Sequence, residues 1–550
     1  MSDLSKLKVM LTDDVHFHKR NFNSLFTFFE KSKIKVENAK APSDWIALYG
    51  NYFSKSNELR KSVIELSFLS KEELQEYVYK GVPVFESCKL EFLSHVIAKP
   101  KWRSLDLLSN SDVVFDYAFE LDVDALLHNM AAVIFWVDWW ENKLRHIPQQ
   151  NYACVFSGSL IYSDVLIRLL KKHVAEPVIM ESFFTGNEYY CEKKYQHIPN
   201  NSDLKFDTYY KSLMDFSGFD YDRERIKAIN KIFLSKNKNV TQPGINALVS
   251  FDNSRDVVVI LGQVLNDFSV LGGVGRINSL AWYKEIISKL LLETDSNIIF
   301  KAHPWENKKI GLSSPVTKLE LQDFVRNNFD SVFLERFVIV EDYNLQFLLE
   351  QSDYTITLCS QSAIEAAFMG IKPVQLGNAF FGRKGFTSDY ASVSSFISDY
   401  KSGKVFKNLT LKEFDCFERF CVVALCKHLV SCHASGLMRL REVFTVDSSI
   451  KLVGSSNINK KTVDENVKKN KVDEKSESVK EGVVVGGGKN EVDVSFESKV
   501  DLTEFDLPIS EQRKLRRQRL WGKFRRNPHA YFNDSSNKYE RQLRFLFKKR

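Results

Sequence analysis

The sequence predicts an α/β protein: two Rossmann-like lobes with parallel sheets facing a cleft, then a linker and a basic C-terminal helical tail. Three observations lead there. Short apolar runs rich in Val, Ile and Phe alternate with helix-length segments over residues 131–376, the pattern of parallel strands joined by right-handed crossovers. The runs fall into two sets, one per lobe. From about Val446 to Val500, Ser, Asn, Lys, Glu and Val dominate, Gly486-Gly-Gly488 interrupts, and aromatic residues almost vanish; such a segment cannot bury enough surface to fold.

In the first lobe, 1–220, the expected strands are Ala131–Val137, Tyr152–Phe156 and Pro177–Met180, with a helix over Ser163–Lys172. Residues 1–130, rich in Phe, Leu and Ser, read as mixed α/β and carry no chemical constellation. In the second lobe, 221–445, the strands are Val257–Leu261, Asn297–Phe300, Phe337–Val340, Tyr354–Leu358 and Pro373–Leu376. Helices over Ser279–Glu293, Asn344–Gln351 and Ala363–Met369 separate them. The linker covers 446–500 and the tail 501–550.

Bulk properties narrow the class. The chain has 550 residues, 44% hydrophobic and 13% aromatic, ample for substantial cores. Met1-Ser-Asp-Leu-Ser-Lys6 lacks a basic start followed by an apolar core, and the apolar stretch Ala125–Val137 contains His128 and ends at Asp138, so no signal peptide or membrane span is expected. The eight cysteines form no C-x-x-C pair; reduced thiols and a cytoplasmic location follow. Cys421, Cys426, Cys432 and His433 fit no zinc spacing, and His16 and His18 beside Asp13 and Asp14 are weak ligands, so no metal is expected. The net charge is +7, yet Asp501–Arg550 alone carries 14 Lys/Arg against 6 Asp/Glu. The basic character belongs to the tail.

Three strand-end motifs carry the chemistry. Ser360-Gln-Ser-Ala-Ile-Glu365 opens a helix; Ser362 and Glu365 have the spacing of a capping box, and such a helix end also suits a phosphate. Lys301-Ala-His303-Pro304 sets an imidazole and an ammonium at a strand end, with Pro304 fixing the turn. Gly262-Gln263-Val-Leu-Asn-Asp267-Phe-Ser269 continues into Leu271-Gly-Gly-Val-Gly-Arg276, whose glycines permit close approach of a ligand. It is not a G-x-G-x-x-G fingerprint, and no hydride cofactor is expected.

As a set, with Leu376-Gly-Asn-Ala-Phe-Phe-Gly-Arg-Lys-Gly-Phe-Thr387, these motifs resemble the capsule polysaccharide synthesis family that includes the retaining β-Kdo transferases of bacterial capsule and lipopolysaccharide assembly. The resemblance covers roughly Val178–Asp389. It implies a GT-B enzyme using CMP-β-Kdo, in which His303 and the Ser360/Ser362 helix end hold the CMP phosphate and Glu365 contacts ribose. It also implies that Asp267 attacks the anomeric carbon and that Glu181, in Met180-Glu-Ser-Phe-Phe184, is the general acid/base, with Phe183 and Phe184 able to raise its pKa by desolvation. Gln263, Lys301, Pro304 and Gln361 complete the expected donor site. The family's Tyr-Ala-Gly-Trp-Gly-Leu-Thr stands here as Phe381-Gly-Arg-Lys-Gly-Phe-Thr387. Arg383 and Lys384 are therefore candidates for a sugar carboxylate or an acceptor phosphate.

In the tail, Tyr539, Leu543, Leu546 and Phe547 share one helical face among Arg541, Arg544, Lys548, Lys549 and Arg550, a basic amphipathic pattern suited to an anionic membrane surface. Arg525-Arg-Asn-Pro-His-Ala-Tyr-Phe-Asn-Asp-Ser535 resembles a membrane-association segment of bacterial surface-polysaccharide transferases. The expected partners are a CMP-sugar donor, a glycan or glycolipid acceptor, the inner-membrane surface and capsule or O-antigen assembly proteins, and not nucleic acid. A CMP-sialic acid transferase, a CDP-glycerol phosphotransferase and a non-catalytic assembly scaffold are the alternatives.

Overall fold

The computed structural model describes residues 4–147, 149–234, 249, 251, 255–306 and 315–445; the expected linker 446–500 and tail 501–550 lie outside the described residues. In chain order the strands are β1 (Lys8–Leu11), β2 (Lys35–Asn38), the hairpin β3 (Val78–Tyr79) and β4 (Val82–Pro83), β5 (Tyr152–Phe156), β6 (Glu176–Ser182) and β7 (Glu188–Lys193). They continue as β8 (Val257–Leu261), β9 (Asn297–Lys301), β10 (Phe337–Val340), β11 (Tyr354–Thr357), β12 (Val374–Gln375), β13 (Ser388–Asp389) and β14 (Val430–Ser431).

These strands form two six-stranded sheets beside the small hairpin. The second has order β10-β9-β8-β11-β12-β13 and is parallel throughout. Val257-Val-Val-Ile-Leu261 lies at its centre, paired with β9 and β11, because a β-branched run suits a strand covered on both faces. The first has order β14-β7-β6-β5-β1-β2. Its β6-β5-β1-β2 part is parallel, while β7 runs antiparallel to β6 and β14 antiparallel to β7. A mixed α/β fold with parallel sheets is therefore observed.

One expected strand is overturned. Ala131–Val137 lies inside a 24-residue helix, Val123–His146. Its apolar residues are buried around most of the helix, from Leu126 and Met130 to Trp136 and Trp140, so no solvent face interrupts the run. A short apolar run cannot by itself distinguish such a helix from a buried strand. The strands β1 and β2 in the poorly legible residues 1–130 are equally a structural finding.

The chain also returns to the first sheet late. The helix Leu411–Val422, opened by a Thr410/Glu413 capping box, runs into a π-helical turn, Val423–His428, before β14. The buried His428 Nε2 lies 2.9 Å from Glu192 Oε1 on β7, and Ser202 donates to the same oxygen at 2.6 Å. Burial opposes ionisation of Glu192, but His428, Lys194 and Ser202 outweigh it and hold the carboxyl below its usual range. The following helix, Gly436–Thr445, lays Phe444 against Phe28, Phe29 and Tyr152, closing the outer face of the sheet. Among the described residues no helix is long and apolar enough to cross a membrane.

Candidate functional site

In a doubly wound parallel sheet the crevice opens where consecutive crossovers leave in opposite directions, outside the carboxyl ends of the strands. In the second sheet that point lies between β8 and β11. The loops leaving these strands are Gly262–Asp267 and Leu358–Gln361, two of the three motif segments, and the third, Lys301–Pro304, leaves the neighbouring β9.

The two central loops are stapled together. Gln263, 4% exposed, accepts from the Cys359 backbone N–H at 3.0 Å and sets its amide nitrogen 3.3 Å from Cys359 Sγ, while its own N–H donates to the Tyr283 hydroxyl at 2.9 Å. Its amide thus orders the crevice wall. Gly262 is required by proximity: a Cβ there would meet Lys301 O at 2.7 Å and the Phe300 ring at 2.8 Å. Asp267 caps the short helix Phe268–Leu271, its Oδ1 accepting from Ser269 N–H at 2.9 Å. Its Oδ2 has no protein partner among the described residues. Burial, followed by the Asp267 charge, pushes the Cys359 thiol up to about 12, so the adjacent sulfur is a neutral wall at ordinary pH.

The β9 motif divides its labour. Lys301 is buried and donates to the Ala302 carbonyl at 3.3 Å and to the Glu341 carbonyl; burial pulls its ammonium down to about 8 against the charges of Asp342 and Glu341. His303 Nδ1 accepts the Trp305 N–H at 3.1 Å, which leaves the neutral ring's proton on Nε2 as a donor. Pro304 begins the turn. Two residues on, the buried Glu306 accepts from Leu265 N–H at 3.3 Å and from Thr317 hydroxyl at 2.6 Å. It binds the β8 and β9 exits to the next helix, and no sequence motif points to it.

The expected capping box is shifted. Gln361 occupies the cap position of the helix Ser362–Phe368 with helical backbone angles and without a side-chain cap, and Ser362 is already the first helical residue. Ser360 Oγ instead accepts the Ser362 N–H at 3.3 Å. The reason is the preceding turn, in which Ala363 N–H bonds Ser360 O and starts the winding early. Burial pushes the Glu365 carboxyl up to about 7, partly offset by its hydrogen bond with Ser362.

The first sheet meets this edge directly. Glu181 stands near the end of β6 opposite Tyr190, and the Phe184 N–H just beyond it donates to Gln361 Oε1 at 3.2 Å. Asn200 adds a second connection: its side chain donates to Ser269 O at 3.3 Å and accepts from Phe380 N–H at 2.8 Å. Sequence reading missed Asn200 because its partners lie 69 and 180 residues away. Of the two loop cations, Lys384 is buried and pairs with Asp207 at 2.7 Å, which removes it as a ligand. Arg383 is exposed, and its backbone N–H is held by Asp389 Oδ2 at 3.0 Å. Among the described residues no cluster of three His, Cys, Asp or Glu is arranged to hold a metal ion.

Residues 194–410 match the family model described as capsule polysaccharide biosynthesis protein. That segment resembles the capsule polysaccharide biosynthesis family. The family segment contains every expected site residue except Glu181, which precedes it. Among solved structures, the chain is similar to KpsC, beta Kdo 2,4 transferase, of Thermosulfurimonas dismutans, with 16% identity over 50% of this chain and 79% of that one and a TM-score of 0.33. KpsC, beta Kdo 2,7 transferase, of the same organism matches at 13% identity over 56% and 90%, TM-score 0.33. The N-terminal domain of Candida albicans trehalose-6-phosphate phosphatase matches at 8% over 81% and 98%, TM-score 0.34. No curated protein matches the chain.

Proposed function

We propose that the chain is a GT-B glycosyltransferase that moves Kdo from CMP-β-Kdo to a lipid-linked or growing surface-polysaccharide acceptor with retention. The observation that carries this reading is the meeting of the Asp267 loop and the Ser360–Ser362 turn at one switch point, beside the first-sheet edge that bears Glu181. Asp267 Oδ2 attacks the anomeric carbon as the bond to the CMP phosphate oxygen breaks and its electron pair leaves with CMP. The acceptor hydroxyl then gives its proton to Glu181 and displaces Asp267, so two inversions give net retention. His303 Nε2–H and the Ser360 hydroxyl donate to the phosphate at the Ser360/Ser362 helix end, and Glu365, held by the Ser362 hydroxyl, accepts from ribose. Arg383 suits the donor's carboxylate. The basic tail 501–550 fits a lipid-linked acceptor at the inner-membrane surface, where capsule assembly proteins would also meet it.

The test offers purified full-length protein CMP-Kdo, CMP-sialic acid and CDP-glycerol in parallel and measures nucleotide release. Asp267→Asn keeps an oxygen for the Ser269 N–H, so its fold is preserved while the nucleophile is lost. Release from CMP-Kdo that falls at least about 10³-fold in the variant is expected. Release from CDP-glycerol that ignores the variant would replace glycosyl transfer by phosphotransfer.

A further inference from the structure

The loop leaving β1 holds polar groups that the steps above do not use. Thr12 and Asp13 are fully buried. Asp13 Oδ1 accepts from the His16 backbone N–H at 2.7 Å and lies 3.1 Å from His16 Nδ1, while Oδ2 accepts from the hydroxyls of Thr12 at 2.9 Å and Tyr162 at 3.0 Å. Burial works against the Asp13 charge, but the bonds and charge of His16 prevail and hold the carboxyl below its ordinary value. A carboxylate can only accept, so His16 Nδ1 carries the proton and the lone pair of the neutral ring sits on Nε2.

The ring is fixed from several sides. It stacks on Phe156 with centroids 4.0 Å apart and 4° between planes, and the parallel Tyr162 ring places its hydroxyl 3.2 Å from Nδ1. Its side chain keeps 11% exposure, and Nε2 has no hydrogen-bond partner among the described residues. A turn cap alone would explain the Asp13 bond to the His16 backbone; it would not orient the ring.

The location is the switch point of the first sheet, between β1 and β5, at the strand ends where ligands enter such sheets. Nearby Tyr49, held at a φ of 45°, has its phenol pushed up by burial and then by the charges of three carboxylates, Glu91, Asp13 and Glu181. The groups in contact with His16 are thus the Asp13 carboxylate and the Tyr162 hydroxyl, with the Phe156 ring stacked on the imidazole. Such surroundings disfavour an anion and suit an uncharged polyol whose hydroxyl donates to Nε2.

We infer that the first sheet's switch point is the acceptor subsite, in which His16 Nε2 accepts a hydrogen bond from a sugar hydroxyl while Asp13 and Tyr162 act as positioning residues. The assignment of the sugar as acceptor rests on the transferase reading above. The full-length protein labelled with 15N-histidine tests it at alkaline pH, where imidazoles are neutral. His16 should show the Nδ1–H tautomer; an Nε2–H tautomer in the wild type overturns the assignment. Titration with oligosaccharides released by mild acid from the producing cell's own surface polysaccharide should shift the His16 Nε2 signal. Their binding should weaken about tenfold in His16→Phe and recover in part in His16→Gln, whose amide oxygen can accept. CMP binding by His16→Phe should stay unchanged. Absence of binding, or equal binding by His16→Phe, overturns the subsite. Oligosaccharide binding through His16 in a protein that takes no CMP-sugar would uphold the subsite and remove the donor assignment.

Discussion

Glu91 links the stability of the fold around the first sheet to the order of that sheet's switch point, and replacing it has a calculable effect. Its carboxylate, 1% exposed, accepts from Gly50 N–H at 2.7 Å, Tyr52 hydroxyl at 2.9 Å and Ile161 N–H at 2.6 Å. These bonds hold the turn that carries Tyr49 and the start of the helix that carries Tyr162. Glu91→Ala leaves three buried donors unpaired, roughly 3–6 kcal/mol at about 1–2 kcal/mol each. For a compact unit spanning Met1–Lys451 the unfolding entropy converts about 1 kcal/mol into about 1 °C, so Tm should fall by roughly 3–6 °C. Glu91→Gln keeps two of the three bonds and turns its amide donors toward Ile161 N–H, a loss of about 2 kcal/mol. The pH dependence is the sharper readout. Burial pushes the Glu91 carboxyl up to about 7, against the pull of Ile161, Tyr52 and Gly50. An acid whose folded pKa is raised stabilises most fully below its unfolded value, near 4.5, and loses that contribution as pH rises through about 7. The stability of wild type relative to Glu91→Gln should therefore fall by about 2.5 kcal/mol between pH 5 and pH 8, enough to cancel the wild-type advantage, and taking the difference cancels Glu365, which titrates with the same sign in both proteins. Thermal unfolding followed by fluorescence at pH 5, 6, 7 and 8 measures it. A gap that stays constant or widens with pH would refute the reasoning.

Glu365, with its carboxyl pushed up to about 7, gives CMP binding a sign. If its carboxylate accepts from ribose, Kd measured calorimetrically falls as pH rises through about 7, and Glu365→Gln flattens the profile. Lys384→Ala breaks a pair with the half-exposed Asp207 and should lower Tm by about 1–2 °C, whereas Arg383→Ala should leave Tm unchanged and raise the KM for CMP-Kdo about tenfold; the reverse ranking would exchange their roles. Gly262→Ala drives a Cβ against Lys301 O, so denaturant unfolding should show a loss of about 1–3 kcal/mol with weakened CMP binding. Wild-type values in that variant would mean that the β8 exit can move away from β9.

Local pattern determined much of this protein by itself. The β-branched runs at Val257–Leu261 and Phe337–Val340 became strands with the expected bounds, and Ser279–Glu293 became the expected helix, because periodicity and β-propensity act over a few residues. The polar motifs at the ends of those strands were legible for the same reason, since a parallel strand followed by a crossover must release its next residues at the carboxyl edge. Tertiary structure decided what has no local signature. The run Ala131–Val137 is helical because burial around the whole helix erases the alternation that distinguishes strand from helix. Gln263 serves Cys359, Lys384 serves Asp207, and Asp13 gathers His16 and Tyr162. Apart from the neighbouring Asp13 and His16, these partners lie far apart in the chain. Their bonds depend on which strands the crossovers bring side by side, so composition and spacing fixed the edge of the sheet while chain topology chose the side chains that meet there.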